Sequence, residues 1–244
     1  MNQNISFPGK KELWHGYDSF RFELDGVECV IVKADSPLKG TPWIWRVRFL
    51  NADHALDLAM LRHGVHLAHI NISDLAGGPE AMDRMTKFYH YLTETLNFSK
   101  APILESYSRG AFPALNWAIR NPELTAMLIL ENPLCNLTTW PKLPSDRELC
   151  RKAGVLTDDY RVIPEWNPIE NLDSIIKRQC PVTVIYDEKD PAFPIDQNTH
   201  LLLQKIRDNG GIAKGLSGRS DFTGDDTEEL AQSAIQTWKD YCKI

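Results

Sequence analysis

Near its start the chain alternates polar and apolar positions, and further on the spacing becomes helical. Phe20, Phe22 and Leu24 occupy every second place in 19–24, the period of a half-buried strand. Asp25-Gly26 supplies a two-residue turn, and 27–32 is the returning strand of a hairpin. The short aromatic run 42–46 is expected as a third strand, 52–63 as a helix closed by Gly64, and 65–70 as a strand. A helix over 79–96 follows, with Pro79 in its first turn, then a short strand at 102–104 and a helix over 111–120 that Asn121-Pro122 stops. Strands are expected at 125–130, 181–186 and 212–214, a helix at 195–207, and a last helix at 227–241 that buries Leu230, Ala234, Ile235 and Trp238 on one stripe.

An opening hairpin followed by alternating strands and helices implies an α/β fold, with a mostly parallel central sheet and helices on both faces. The alternation accounts for the whole chain, residues 1–244, as one domain with one break at about 134–176. That stretch carries Trp140 and Trp166 with Pro141, Pro144, Pro164 and Pro168, and Pro133 stands just before it. It is expected to be a small cap-like excursion over the carboxyl edge of the sheet, where open α/β folds bind ligands.

Composition narrows the picture. Hydrophobic residues make up 43% and charged residues 25%, values of a globular chain. The net charge of −6 argues against a nucleic-acid partner, because nothing draws phosphates in. No apolar run reaches the ~18 residues that a membrane span needs. Five cysteines, at 29, 135, 150, 180 and 242, are odd in number, widely spaced and without a C-x-x-C pair. They point to free thiols in a reducing, cytoplasmic setting, with Cys29 and Cys180 packing as small hydrophobes. Met1 to Ser6 carries no charged-then-apolar leader; a leader already removed would imply a secreted protein. The sequons at Asn4, Asn71, Asn97 and Asn136 are chance occurrences on this reading.

The most informative segment runs from Leu104 to Ala111. A strand enters, Ser106 stands two before Ser108, Gly110 stands two after it, and a helix leaves. A nucleophile elbow needs small neighbours at those two places, so that strand and helix can approach across a strained turn. The serine then projects its hydroxyl, and the next N–H, that of Arg109, helps to bind an oxyanion at a helix N-terminus. The plainer alternative is a βα turn in which Ser108 caps the helix.

With these residues in view the chain resembles the α/β-hydrolase superfamily, and within it a prolyl-oligopeptidase-like or esterase-like bacterial group. Beyond Ser108-Arg109-Gly110, the resemblance rests on Pro42 through Phe49, Asn116-Trp117-Ala118, Asn121-Pro122-Glu123, Asn167-Pro168-Ile169, Asp190 through Pro194, and Asn198-Thr199, and it covers roughly residues 14–240. It implies a serine hydrolase acting on an ester, of carbohydrate-ester or other small acyl type, without cofactor or metal. Ser108 would be the nucleophile and Asp190 the acid, with Glu188 and Asp187 as alternatives. Trp45 would give the second oxyanion N–H, and Arg46 beside it would face the pocket with Trp140 and Trp166. The two tryptophans serve equally as a ligand wall or as the core of the excursion.

The expected base is missing. No histidine follows His200, and the family's histidine position falls on Arg219, or on Ser220 if the register slips by one. Arginine stays protonated and cannot accept the serine proton. Tyrosine or lysine remains as an unconventional base. His63, His66 and His69 form H-x-x-H-x-x-H, but one ends a helix and the other two fall on opposite faces of a strand, so they read as structural. Two functions stay open: a diverged hydrolase with a degenerate triad and weak or absent esterase activity, and a non-catalytic protein that binds a small anionic or carbohydrate ligand or a partner. An Arg219–Asp190 pair would hold positive charge near Ser108.

Overall fold

The computed structural model describes residues 6–51, 54–189, 192–218 and 224–244. Nine strands form one sheet: β1 (Lys10–Trp14), β2 (Tyr17–Leu24), β3 (Val27–Val32), β4 (Trp43–Arg46), β5 (His66–Ile70), β6 (Ile103–Tyr107), β7 (Met127–Glu131), β8 (Val182–Tyr186) and β9 (Ala213–Ser217). Their order is β1-β2-β3-β5-β4-β6-β7-β8-β9. From β1 to β5 the neighbours pair antiparallel, and from β5 to β9 they pair parallel. The hairpin and the parallel core match the expectation. β1 was not anticipated, because Lys10, Lys11 and Glu12 give it no apolar period; charge of this kind protects an edge strand.

Two helical layers cover the sheet, and the period-2 alternation of the strands sorts side chains between them. Trp43, Trp45, Leu104, Leu128, Leu130, Val182 and Val184 enter the larger core. There they meet α2 (Pro79–His90), α3 (Ala111–Arg120), α5 (Asp173–Lys177) and α6 (Thr199–Asp208). Ile44, Ile103, Met127, Ile129 and Ile185 face the other way, onto α1 (Ala55–Arg62) and α7 (Gly224–Cys242). Leu230, Ala234, Ile235 and Trp238 form the buried stripe of α7 as expected.

The excursion between β7 and β8 contains α4 (Pro144–Lys152) and α5 joined by short 3-10 turns. It is no loose flap: Leu134, Cys135, Leu137, Cys150, Ile169 and Ile175 belong to the same core as α3. Four buried asparagine amides act as clamps. Asn198 Oδ1 accepts from the N–H groups of Cys135 and Asn136, and Asn167 Oδ1 accepts from Leu137 N–H at 2.9 Å. Asn116 Nδ2 donates to the carbonyls of Gly77 and Trp166, and Asn136 Nδ2 to that of Gln197. All five cysteines are free thiols.

Two histidines on β5 are buried and neutral. His66 Nδ1 accepts from Ala34 N–H at 3.1 Å, and His69 Nδ1 donates to the Arg46 carbonyl at 2.8 Å. Burial pulls both imidazoles down to about 4. The unfolded chain therefore takes up these protons first, near its ordinary value of about 6.5, and stability falls as pH drops from there toward 4. Each imidazole contributes up to about 1.4 kcal/mol per pH unit to that loss. Urea denaturation at pH 7 and pH 5 should show the decline, and His66→Gln should flatten it; an unchanged slope in that variant would refute the assignment.

Candidate active site

Tyr107 ends β6 in extended geometry, with φ −112° and ψ 140°, and Ala111 begins α3. Ser108 lies between them at φ 53°, in the left-handed region. A non-glycine residue held there costs about 1–3 kcal/mol, so its surroundings must impose it. The Ser108 carbonyl accepts from Leu134 N–H at 3.1 Å and from Ala111 N–H, which pins the turn from both sides. Gly110 is tightly seated: a Cβ there would lie 3.0 Å from Arg48 Cβ and 3.4 Å from Ser106 Cβ. Small residues two before and two after Ser108 are thus a packing requirement. The serine capping alternative finds no side-chain bond at the start of α3.

The segment leaving β4 runs beside this turn, and here two expectations need correction. Trp45 is inside the sheet, with Ala68 on one side and Leu104 on the other, and its ring packs among Trp43, Phe88 and Trp117. A residue so placed has no N–H to offer a ligand. The ladder continues to Val47, whose N–H bonds to the Glu105 carbonyl, so Arg48 and Phe49 are the first residues to leave it. Arg46 does not line a pocket either. It is 1% exposed, its Nη1 is 2.7 Å from Glu105 and 3.2 Å from Asp57, and both carboxylates are fully buried. Burial drives the Glu105 carboxyl well above its usual range, Arg46 opposes this, and the arginine itself stays charged.

Around Ser108 stand Arg48 and Phe49, which sequence reasoning passed over, together with Arg109 and Trp140, which it had named. Arg48 is nine-tenths buried; its Nη2 donates to the Ser73 carbonyl at 2.8 Å and its guanidinium lies 4.9 Å from the Phe49 ring. Arg109 lies 6.0 Å from the same ring and 5.7 Å from that of Trp140, and its Nη1 is 3.7 Å from Asp146. Phe49 is at φ 57° and packs edge-on against Tyr107. Trp140 therefore belongs to the surroundings of Ser108. Trp166 does not: the Arg120 guanidinium stacks on it at 3.8 Å, on the far end of α3. The signal for Arg48 was present in Arg46-Val47-Arg48, but alternation puts both arginines on one face, and only the end of the ladder at Val47 separates their surroundings.

The loop after β8 adjoins this region. Asp187 N–H donates to Asn132 Oδ1 at 2.9 Å, and Asn132, Pro133, Asp187 and Phe193 line one cleft. Glu188 is engaged by His200 at 3.4 Å, on the outer side of the loop. Asp190 and Arg219, the expected acid and the expected replacement for histidine, lie outside the described residues, as does Ser220. Their pairing therefore stays an expectation.

All seven histidines are within the described residues, and none of their rings hydrogen-bonds Ser108 among those residues. His15 and His54 pack together beside Trp14. His63 contacts Glu228, His90 contacts Glu94, and His200 contacts Asp196 and Glu188. His66 and His69 are buried on β5. Among the described residues no group of three or more acidic, histidine or cysteine side chains is arranged to hold a metal, and no helix is long and apolar enough to cross a membrane.

The left-handed geometry has a measurable consequence. Ser108→Gly should be more stable than Ser108→Ala by about 1 kcal/mol, because only glycine occupies φ near 53° without strain. Equal midpoints in urea for the two variants would show that the turn stores no strain.

No family model matches the chain, and no curated protein matches it. Solved structures do. A putative carboxylesterase from Lactobacillus plantarum WCFS1 superposes with a TM-score of 0.67 at 15% identity, covering 90% of this chain and 97% of its own. The S-formylglutathione hydrolase FrmB of Staphylococcus aureus gives 0.66 at 11% identity, with 91% and 98% covered. A puromycin-hydrolyzing peptidase of Mycobacterium tuberculosis gives 0.70 at 14% identity over 92% of this chain and 39% of that one. The strand order, the parallel core and the helices on both faces agree with these likenesses: the chain has the α/β-hydrolase fold.

Proposed function

We propose that the chain is a diverged, hydrolase-like protein in which Ser108 keeps the place of an acyl-accepting nucleophile while no imidazole serves it, so that simple esters are turned over weakly or not at all. The single observation that carries this is the position of Ser108 at φ 53° between β6 and α3, with no histidine ring bonded to it among the described residues. Solved neighbours named as carboxylesterase and as S-formylglutathione hydrolase support the hydrolase side of the reading.

In ester hydrolysis Ser108 Oγ would bond to the acyl carbon and lose its proton to a base, the alcohol would leave, and water would release the acid. Oxyanion donors are at hand. The Arg109 N–H, in the first turn after β6, has no intrahelical carbonyl to serve, and Arg48 or Phe49 takes the place first given to Trp45. Asp190 stands at the acid position by sequence. What is wanting is the proton acceptor, and a serine hydroxyl without one reacts slowly. The second reading, a ligand-binding protein, is favoured by the two arginines that flank Phe49.

Turnover of p-nitrophenyl acetate tests whether Ser108 is activated at all. The expected rate lies far below the ~10 s⁻¹ of an ordinary enzyme, and Ser108→Ala should change it little. A rate near that value, abolished in Ser108→Ala, would mean that an unrecognised base activates the serine.

A further inference from the structure

Arg48 is a buried cation with no carboxylate within 4.0 Å among the described residues, and its Nε has no hydrogen-bond partner. A guanidinium removed from water in this way is costly unless something of opposite charge approaches it. Here a second guanidinium approaches instead. Arg109 is one-third exposed, and the two share the Phe49 ring. Burial, and then repulsion from Arg109, pull Arg48 down to about 10, which still leaves it charged at neutral pH.

The nearest acids do not neutralise the pair. Asp146 is 3.7 Å from Arg109, beyond hydrogen-bonding distance, and Asp74 is an exposed carboxylate screened by solvent. Arg48 and Arg109 are opposed by this Asp146 and by the solvent-screened Asp74, and beside them stand the rings of Phe49 and Trp140. That combination suits a small monoanion with an apolar body. Its position relative to Ser108 is fixed by packing: Arg109 follows the serine directly, and Arg48 Cβ abuts Gly110.

We propose that Arg48 and Arg109 form a receptor for the carboxylate of a small acyl compound, which sets the ester or acyl group of that compound beside Ser108. The carboxylate accepts from the Arg109 fork, with the buried Arg48 charge behind it, and the acyl chain lies on Phe49 and Trp140. This rests on the reading of Ser108 as the acyl-accepting position for its chemical meaning; the anion receptor itself does not need the serine to react.

The test compares two esters of the same skeleton, monomethyl succinate and dimethyl succinate, by isothermal titration calorimetry on the full chain carrying Ser108→Ala, so that nothing is consumed. The monoanion should bind at least ~10-fold more tightly than the neutral diester, the size of one charge-assisted contact. Arg109→Gln and Arg48→Gln should each remove that preference, so that the two esters bind alike. Arg48→Gln alters a buried side chain, and Arg109→Gln together with the ligand comparison carries the test if that variant does not fold. Equal binding of the two esters, no binding of either, or a preference that survives both substitutions would overturn the receptor. Ester turnover by the unsubstituted chain is a separate measurement: a base that activates Ser108 would defeat the proposed weak hydrolysis and leave the charge preference standing.

Discussion

The buried guanidinium of Arg46 is the constraint on which the site geometry depends. Its side chain reaches Glu105 on β6 and Asp57 on α1, its carbonyl accepts from His69 on β5, and its Nη2 approaches the Phe49 carbonyl at 3.4 Å. One residue thus ties three adjacent strands, a helix on the opposite face and the first turn of the segment that passes Ser108. Such a cluster contributes little net stability compared with an apolar replacement, but losing one partner leaves an uncompensated buried charge, at a cost of about 3–5 kcal/mol. Its consequence is directional. Because Arg46 is held beneath the sheet edge, Val47 completes the ladder and Arg48 emerges against Gly110.

The Ser108 turn sets a local cost against packing that is much larger. A left-handed serine costs about 1–3 kcal/mol, while each fully buried large apolar side chain of α3 contributes about 1.5–3 kcal/mol. Phe112, Leu115 and Trp117 are all buried, so α3 is held against the sheet whatever happens at residue 108. Strain at such a point marks a functional site in an enzyme, since it presents the hydroxyl and clears the N–H groups behind it. Under the proposed function the presentation is kept while no histidine serves it. The fold therefore supports two outcomes from one geometry, slow acyl chemistry or binding without chemistry, and the fold alone does not choose between them.

Much of this was legible in the chain. The alternation of Phe20, Phe22 and Leu24, the Asp25-Gly26 turn and the spacing around Ser108 fixed the hairpin, the parallel core and the strained joint by purely local rules. The asparagines of the family resemblance, Asn116, Asn167 and Asn198, proved to be clamps on backbone groups of the excursion, so the signal they carry is about fold rather than reaction. Trp45 and Arg46 were misplaced for a single reason: the strand expected over 42–46 was taken to end at the pocket, and only its pairing with β6, continued by Val47 N–H to the Glu105 carbonyl, shows that the chain leaves the ladder after them. Arg48 was missed because its burial comes from α4 and the Ser73 turn, long-range partners that no local pattern reports.

The central claim, a serine held in nucleophile geometry without a base, is tested most directly by the rate at which a fluorophosphonate labels Ser108 as a function of pH. A serine served by an imidazole labels quickly, with an inflection near the ordinary histidine value of about 6.5. The account predicts slow labelling at Ser108 with no inflection between about pH 5.5 and 8. Rapid labelling with such an inflection, lost on replacing one of the seven histidines, would contradict it.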